Sequence, residues 1–126
     1  MKPSLRILMF AVVAASLAAC SGIQIPGITP TDEPPGVGEK AERGYAASEP
    51  VIAALEELRK DRGEYPELVT YLVPDYLPVL WTAGDDLDYS YSLTDEGYSF
   101  SFHYIGPGMN TCTYKPEAGW HCSGAF

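Results

Sequence analysis

The chain has 126 residues, with 17 Asp and Glu against 8 Lys and Arg, and a net charge of −9 at neutral pH. That length fits one small domain plus a tether. The acidic balance excludes an ordinary nucleic-acid binder, because no basic patch supplies phosphate neutralisation. It also disfavours adhesion to anionic lipid heads, and it most simply serves solubility.

The N-terminus reads as an export signal. Lys2 and Arg6 precede the apolar run Ile7–Ala15, and small residues then lead to Cys20. A charged n-region, a short h-region and a small-residue cleavage site define a secretory signal peptide. The run is shorter than the roughly 20 apolar residues a bilayer span needs. Leu17-Ala18-Ala19-Cys20 resembles the lipobox of bacterial lipoproteins at all four positions. The residues alone leave two other readings: a plain secretory signal with an incidental cysteine, or an uncleaved anchor. The resemblance implies removal of residues 1–19, diacylglycerol on the Cys20 sulfur and acylation of the new amino group. Several acyl chains anchor stably where one binds only marginally. Ser21 stands where the Gram-negative sorting pattern would place an inner-membrane aspartate. The resemblance therefore points to the outer membrane with the domain facing the periplasm, the inner membrane and the cell surface being the alternatives.

Cleavage leaves 107 residues and removes two bases and no acid, so six bases face seventeen acids, a net charge of −11. A domain this small has a modest core and gains from a covalent staple. Lipidation of Cys20 accounts for the odd cysteine and leaves Cys112 and Cys122. In an oxidising export compartment a disulfide is the default. The alternative is a metal site from Cys112, His121 and Cys122, which suffers because adjacent strand residues point to opposite faces.

Residues 20–38 form the lipidated cysteine and a Pro- and Gly-rich stretch that reads as a flexible linker. The domain is expected over 39–126. Glu39–Arg62 is its helix: Ala47, Val51, Leu55 and Leu58 fall at helical spacing, with Glu56, Glu57, Arg59 and Lys60 opposite. Pro50 allows two readings. Either one helix is kinked there, or Ser48 caps a fresh helix with Pro50 in its first turn. Gly63 is expected to end the helix in the left-handed conformation, with Pro66 beyond it. Glu67–Val73 reads as one or two helical turns, Asp75–Pro78 as an ordered loop and Thr82–Asp88 as a polar turn.

From Leu87 the period becomes two. Tyr89, Tyr91 and Leu93 alternate with Ser90, Ser92 and Thr94, then Tyr98, Phe100, Phe102 and Tyr104 with Ser99, Ser101 and His103. This is a hairpin with one aromatic and one polar face. Gly106–Asn110 makes the next turn, and Thr111–Lys115 pairs with Trp120–Ser123 around Glu117. If Cys112 opposes Cys122, a cross-strand bridge pins that last hairpin. The fold expected is α+β: one long N-terminal helix packed on a four-stranded antiparallel sheet.

Ile52-Ala53-Ala54-Leu55-Glu56 through Asp61-Arg62-Gly63-Glu64-Tyr65-Pro66, then Leu68 and Leu72-Val73-Pro74-Asp75-Tyr76-Leu77-Pro78, resembles the globular part of type II secretion pseudopilins and related type IV pilin-like proteins. The resemblance spans residues 45–105. It implies a helix ended by a Gly-x-Tyr-Pro turn, a leucine-rich loop and an antiparallel sheet with a Tyr-x-Tyr strand. It also implies a link to a secretion or pilus apparatus. The Gly-Phe-Thr-Leu-x-Glu-type motif and the long apolar filament helix of that family have no counterpart in this sequence. A lipid anchor and linker stand in their place, so assembly into a pilin shaft is not expected.

The residues carry no recognisable catalytic set. His103 and His121 are the only histidines, and no serine elbow or Cys/His nucleophile pair is found. Neither an enzymatic activity nor a cofactor is expected. Asp85, Asp86 and Asp88 offer oxygen ligands that calcium would accept, but acidic residues are ordinary in turns, so no metal site is assigned. The strand aromatics belong to the core. Tyr71, Tyr76 and Trp81 lie in loops and are the candidate binding residues, with the Gly106–Asn110 turn beside them. The expected function is that of a lipid-anchored envelope protein acting as an interaction or structural module. It would meet the membrane through its lipid, and a protein partner in the envelope. The alternative is a lipoprotein binding a small ligand or envelope polymer through the loop aromatics.

Overall fold

The computed structural model describes residues 33–125. The signal segment, Cys20 and most of the expected linker lie outside the described residues. Helix α1 (Glu39–Arg62) is followed by a 3₁₀ turn (Val69–Leu72) and four strands, β1 (Leu87–Thr94), β2 (Gly97–Ile105), β3 (Met109–Lys115) and β4 (Gly119–Ala125). The strands pair antiparallel in the order β1-β2-β3-β4. One helix therefore packs on a four-stranded antiparallel sheet, an α+β arrangement. One part of the expectation is corrected: the helix is not a long element at the chain's N-terminus. It starts at residue 39 and spans 24 residues.

Helix α1 buries Ala41, Gly44, Ser48, Val51, Leu55 and Leu58, a repeat of three or four residues that lays one stripe on the sheet. The helix runs unbroken through Pro50, so the reading of a fresh helix capped by Ser48 is overturned. An interior proline costs a helix about 3 kcal/mol, yet the buried stripe continues on both sides of it. Burial of that stripe outweighs the local penalty. The Ser48 hydroxyl donates to the Gly44 carbonyl at 2.6 Å, one turn back, instead of capping. Gly63 adopts the expected left-handed conformation at φ 85°, its N–H donating to the Arg59 carbonyl at 2.7 Å.

The stripe is uneven. Its first half is Ala41, Gly44, Ala47 and Ser48, and its second half carries Val51, Leu55 and Leu58. Small residues let the first half of the helix approach the sheet closely. A Cβ on Gly44 would overlap the ring of Phe102.

The strand alternation produces the two expected faces. Register places Tyr89 opposite Phe102, Tyr91 opposite Phe100, and Phe102 in turn opposite Cys112. Tyr98, Phe100 and Phe102 are fully buried beneath α1. The other face carries hydroxyl and imidazole rows: Asp88, His103, Thr111 and Ser123 in one, Ser90, Ser101, Thr113 and His121 in the next.

Cys112 and Cys122 stand directly opposite each other and form a disulfide, with Cα atoms 4.0 Å apart and Glu117 at the centre of the closing turn. The alternative of a metal held by Cys112, His121 and Cys122 is thereby overturned. The two sulfurs are bonded to each other, and His121 pairs with Thr113 on the opposite parity. The end of the expected linker is also engaged: the Gly36 N–H donates to the Tyr104 hydroxyl at 2.9 Å, and Tyr45 donates to the Gly36 carbonyl at 3.2 Å. Side-chain partners for its backbone hold Gly36 in spite of the segment's linker composition.

Candidate functional site

Tyr71, Tyr76 and Trp81 are not brought together as one aromatic platform. Tyr71, on the 3₁₀ turn, is 54% exposed. Tyr76 is half-buried, its hydroxyl donating to Asp61 Oδ2 at 3.2 Å, with the Arg62 guanidinium 5.9 Å from its ring centre. Trp81 departs from the expected exposure. It is half-buried, packs on Tyr89 and Phe100, and donates from Nε1 to the Leu87 carbonyl at 3.1 Å. A sequence pattern could not show this, because the indole is held by residues of a strand that it precedes.

Tyr71 has other company. Leu68, Val73 and Val79 are exposed on the same segment, which buries Val69, Leu72 and Leu77. The buried set fixes the loop against the domain. The exposed set leaves four apolar side chains open to solvent on this segment.

The Gly-x-Tyr-Pro turn is tied to both layers. The Tyr65 hydroxyl donates to Glu56 Oε1 at 2.8 Å and accepts from Arg59 Nη1 at 3.0 Å. Arg59 also lies 4.8 Å above the Tyr65 ring centre, a cation–π distance. Burial and the carboxylate of Glu56 push the Tyr65 hydroxyl pKa up. The Pro66 carbonyl accepts from the Tyr91 hydroxyl at 2.6 Å. Burial pushes the Tyr91 phenol up to about 12.

At the other end of α1 lies a cleft of about 450 Å³, lined among others by Asp85, Asp88, His103, Ile105 and Met109. Arg43 grips Asp86 with two hydrogen bonds of 3.0 and 2.6 Å and donates a third, of 3.0 Å, to the Ala83 carbonyl. The guanidinium holds the Asp86 carboxyl below its usual range. Asp86 is thus engaged by a cation. Among the described residues no three His, Cys, Asp or Glu side chains converge where a metal could sit. Lys40 Nζ donates to the Ile105 carbonyl at 2.6 Å, which ties the start of α1 to the β2–β3 hairpin.

Sequence reasoning missed a polar chain across three strands. Ser90 Oγ lies 3.1 Å from His103 Nε2, and Thr111 Oγ1 lies 2.9 Å from His103 Nδ1. A hydroxyl on each side of an imidazole superficially resembles a nucleophile, base and orienter. The orienter in such a set is a carboxylate that stabilises the imidazolium, and here that place belongs to Thr111. Ser90 is moreover exposed on an open sheet face. The chain reads as a cross-strand strut, like the neighbouring Ser101–Thr113 hydrogen bond of 2.7 Å.

Among the described residues the exposed large apolar side chains include Leu68, Tyr71, Val73 and Val79 on one segment and Ile105 and Met109 at the hairpin tip, the last two each 71% exposed; Val37 and Leu93 stand apart from both groups in sequence. No helix among the described residues is long and apolar enough to cross a membrane. Comparison with protein-family models, with curated proteins and with solved structures finds no match to this chain.

Proposed function

We propose that this protein is a lipid-anchored, non-enzymatic interaction module of a bacterial envelope, meeting a protein partner through the Leu68–Val79 side of its domain. The observation that carries this reading is the apolar exposure of Leu68, Tyr71, Val73 and Val79 on a segment otherwise locked into the core. Exposed apolar residues gathered on one short, well-packed segment fit an interaction site. The pilin-like turn at Gly63, Tyr65 and Pro66 supports a partner in a secretion or pilus apparatus. The lipobox-like Leu17-Ala18-Ala19-Cys20 supports an anchor at the outer membrane facing the periplasm.

A photo-crosslinker at position 71 tests the surface. Recovery of a secretion or pilus component from crosslinked envelopes, lost when Leu68 and Val73 become serine, supports the reading; recovery of no such component refutes it. Palmitate labelling tests the anchor. Label on the native chain and release of Cys20→Ser from the membrane are expected, and continued retention of that variant would overturn the anchor. The hydroxyl rows of the open sheet face favour a second reading, contact with an envelope polymer, which co-sedimentation with purified cell-wall glycan checks.

A further inference from the structure

We infer that the β2–β3 hairpin tip, Ile105-Gly106-Pro107-Gly108-Met109, is the surface that rests on the lipid bilayer holding Cys20. The inference depends on the lipid-anchor reading above. Ile105 and Met109 are direct cross-strand partners, so their side chains stand together, each 71% exposed, at a tip without a charged side chain. The chain enters the domain at this same end. The Gly36 N–H donates to the Tyr104 hydroxyl, and Glu33 and Val37 border one cleft with Gly106 and Pro107.

Twelve residues separate Cys20 from Glu33. Such a chain reaches at most about 45 Å. The far end of α1 lies about 36 Å from its start, so presenting that end to the bilayer would use most of the reach. The tip needs almost none of it, and tethering raises its effective concentration at the surface. The Asp85–Asp88 turn lies beside the tip, with Asp86 neutralised by Arg43. Acidic neighbours fit a zwitterionic interface and not an anionic one. Ile105 and Met109 would enter the boundary between headgroups and acyl chains, with Lys40 held at the tip by the Ile105 carbonyl.

Met109 is the one methionine after residue 19, so its oxidation reports on the tip alone. The lipidated chain would be reconstituted in phosphatidylcholine vesicles and treated with chloramine-T, with Met109 sulfoxide and the Cys20 lipid measured by mass spectrometry. Oxidation about tenfold slower than for Cys20→Ser in free solution is expected, because a buried thioether is shielded from a polar oxidant. Ile105→Ser should restore much of the rate, whereas Leu68→Ser should not. Intact lipid on Cys20 with unchanged oxidation overturns this inference alone. Absence of lipid on Cys20 overturns it together with the anchor reading. Equal protection of Cys20→Ser in free solution overturns it by assigning the tip to a second copy of the chain.

Discussion

Replacing Gly44 with alanine sets two effects against each other. Alanine in a helix interior is favoured over glycine by about 1 kcal/mol, so an exposed glycine at this place would gain stability. Gly44 is not exposed: it is buried against β2, and a Cβ there would fall 2.7 Å from Phe102 Cζ and closer still to two other ring atoms. The Phe102 ring has little room to yield. It is fully buried, with Tyr45, Trp120 and Tyr104 centred 5.2, 5.4 and 6.1 Å away. Overpacking of this kind costs roughly 1–3 kcal/mol. After the propensity gain, Gly44→Ala should lose about 0–2 kcal/mol, a drop of up to about 1 M in urea midpoint for a small domain. Gly44→Ala combined with Phe102→Leu should lose less than the two changes summed, because the smaller side chain makes room for the methyl. The assay is urea unfolding of the Cys20→Ser chain followed by tryptophan fluorescence. A midpoint for Gly44→Ala above the parent, the gain expected of an exposed glycine, would refute the close approach of α1 to the sheet.

Other outcomes follow from single atoms. Gly63→Ala meets no neighbouring atom but forces a side chain into φ 85°, so a loss of about 1 kcal/mol in the same assay is expected from backbone strain alone. The Tyr98 hydroxyl is buried without a hydrogen-bond partner, so Tyr98→Phe should be neutral or stabilising by about 1 kcal/mol, whereas Tyr65→Phe, which gives up two hydrogen bonds, should destabilise. Reducing Cys112–Cys122, which closes a loop ten residues apart in sequence, should cost about 2–3 kcal/mol; two reactive thiols in the unreduced, denatured Cys20→Ser chain would contradict the bridge. Tyr91 is held neutral in the fold, with its pKa raised from 10 to about 12. Its contribution is complete below pH 10 and is lost as pH rises from 10 through about 12; Tyr91→Phe should flatten that part of a stability-against-pH curve.

The sheet was legible because its side-chain period is two and the aromatics keep one parity within each strand, Tyr89 and Tyr91 in β1 and Tyr98 to Tyr104 in β2. The opposed cysteines fixed the last register by symmetry about Glu117. The left-handed end at Gly63 was legible for a local reason, since glycine with proline three residues on, in Gly63-Glu64-Tyr65-Pro66, marks a helix end. Continuity through Pro50 was not, because it depends on burial of Ala47 and Val51 against strands far along the chain. Nor was the place of Trp81, whose partners Leu87, Tyr89 and Phe100 capture it only in the folded sheet. The docking of Gly36 escaped for the same cause, as a Pro-Gly segment carries no periodic signal of its own.

The four described strands follow α1 in the chain, and strands consecutive in sequence pair with one another. A ribosome therefore delivers the helix before any surface exists to receive it. Alone, a helix of 24 residues with Gly44 and Pro50 in its interior has little stability. The strands need only short loops to find one another, which favours rapid local pairing. Phe100 and Phe102 then remain uncovered until α1 settles on them. The first of the described elements to be synthesised is thus the last to be secured, and in the interval the nascent chain shows the aromatic face of β2 to whatever chaperone or protease is at hand.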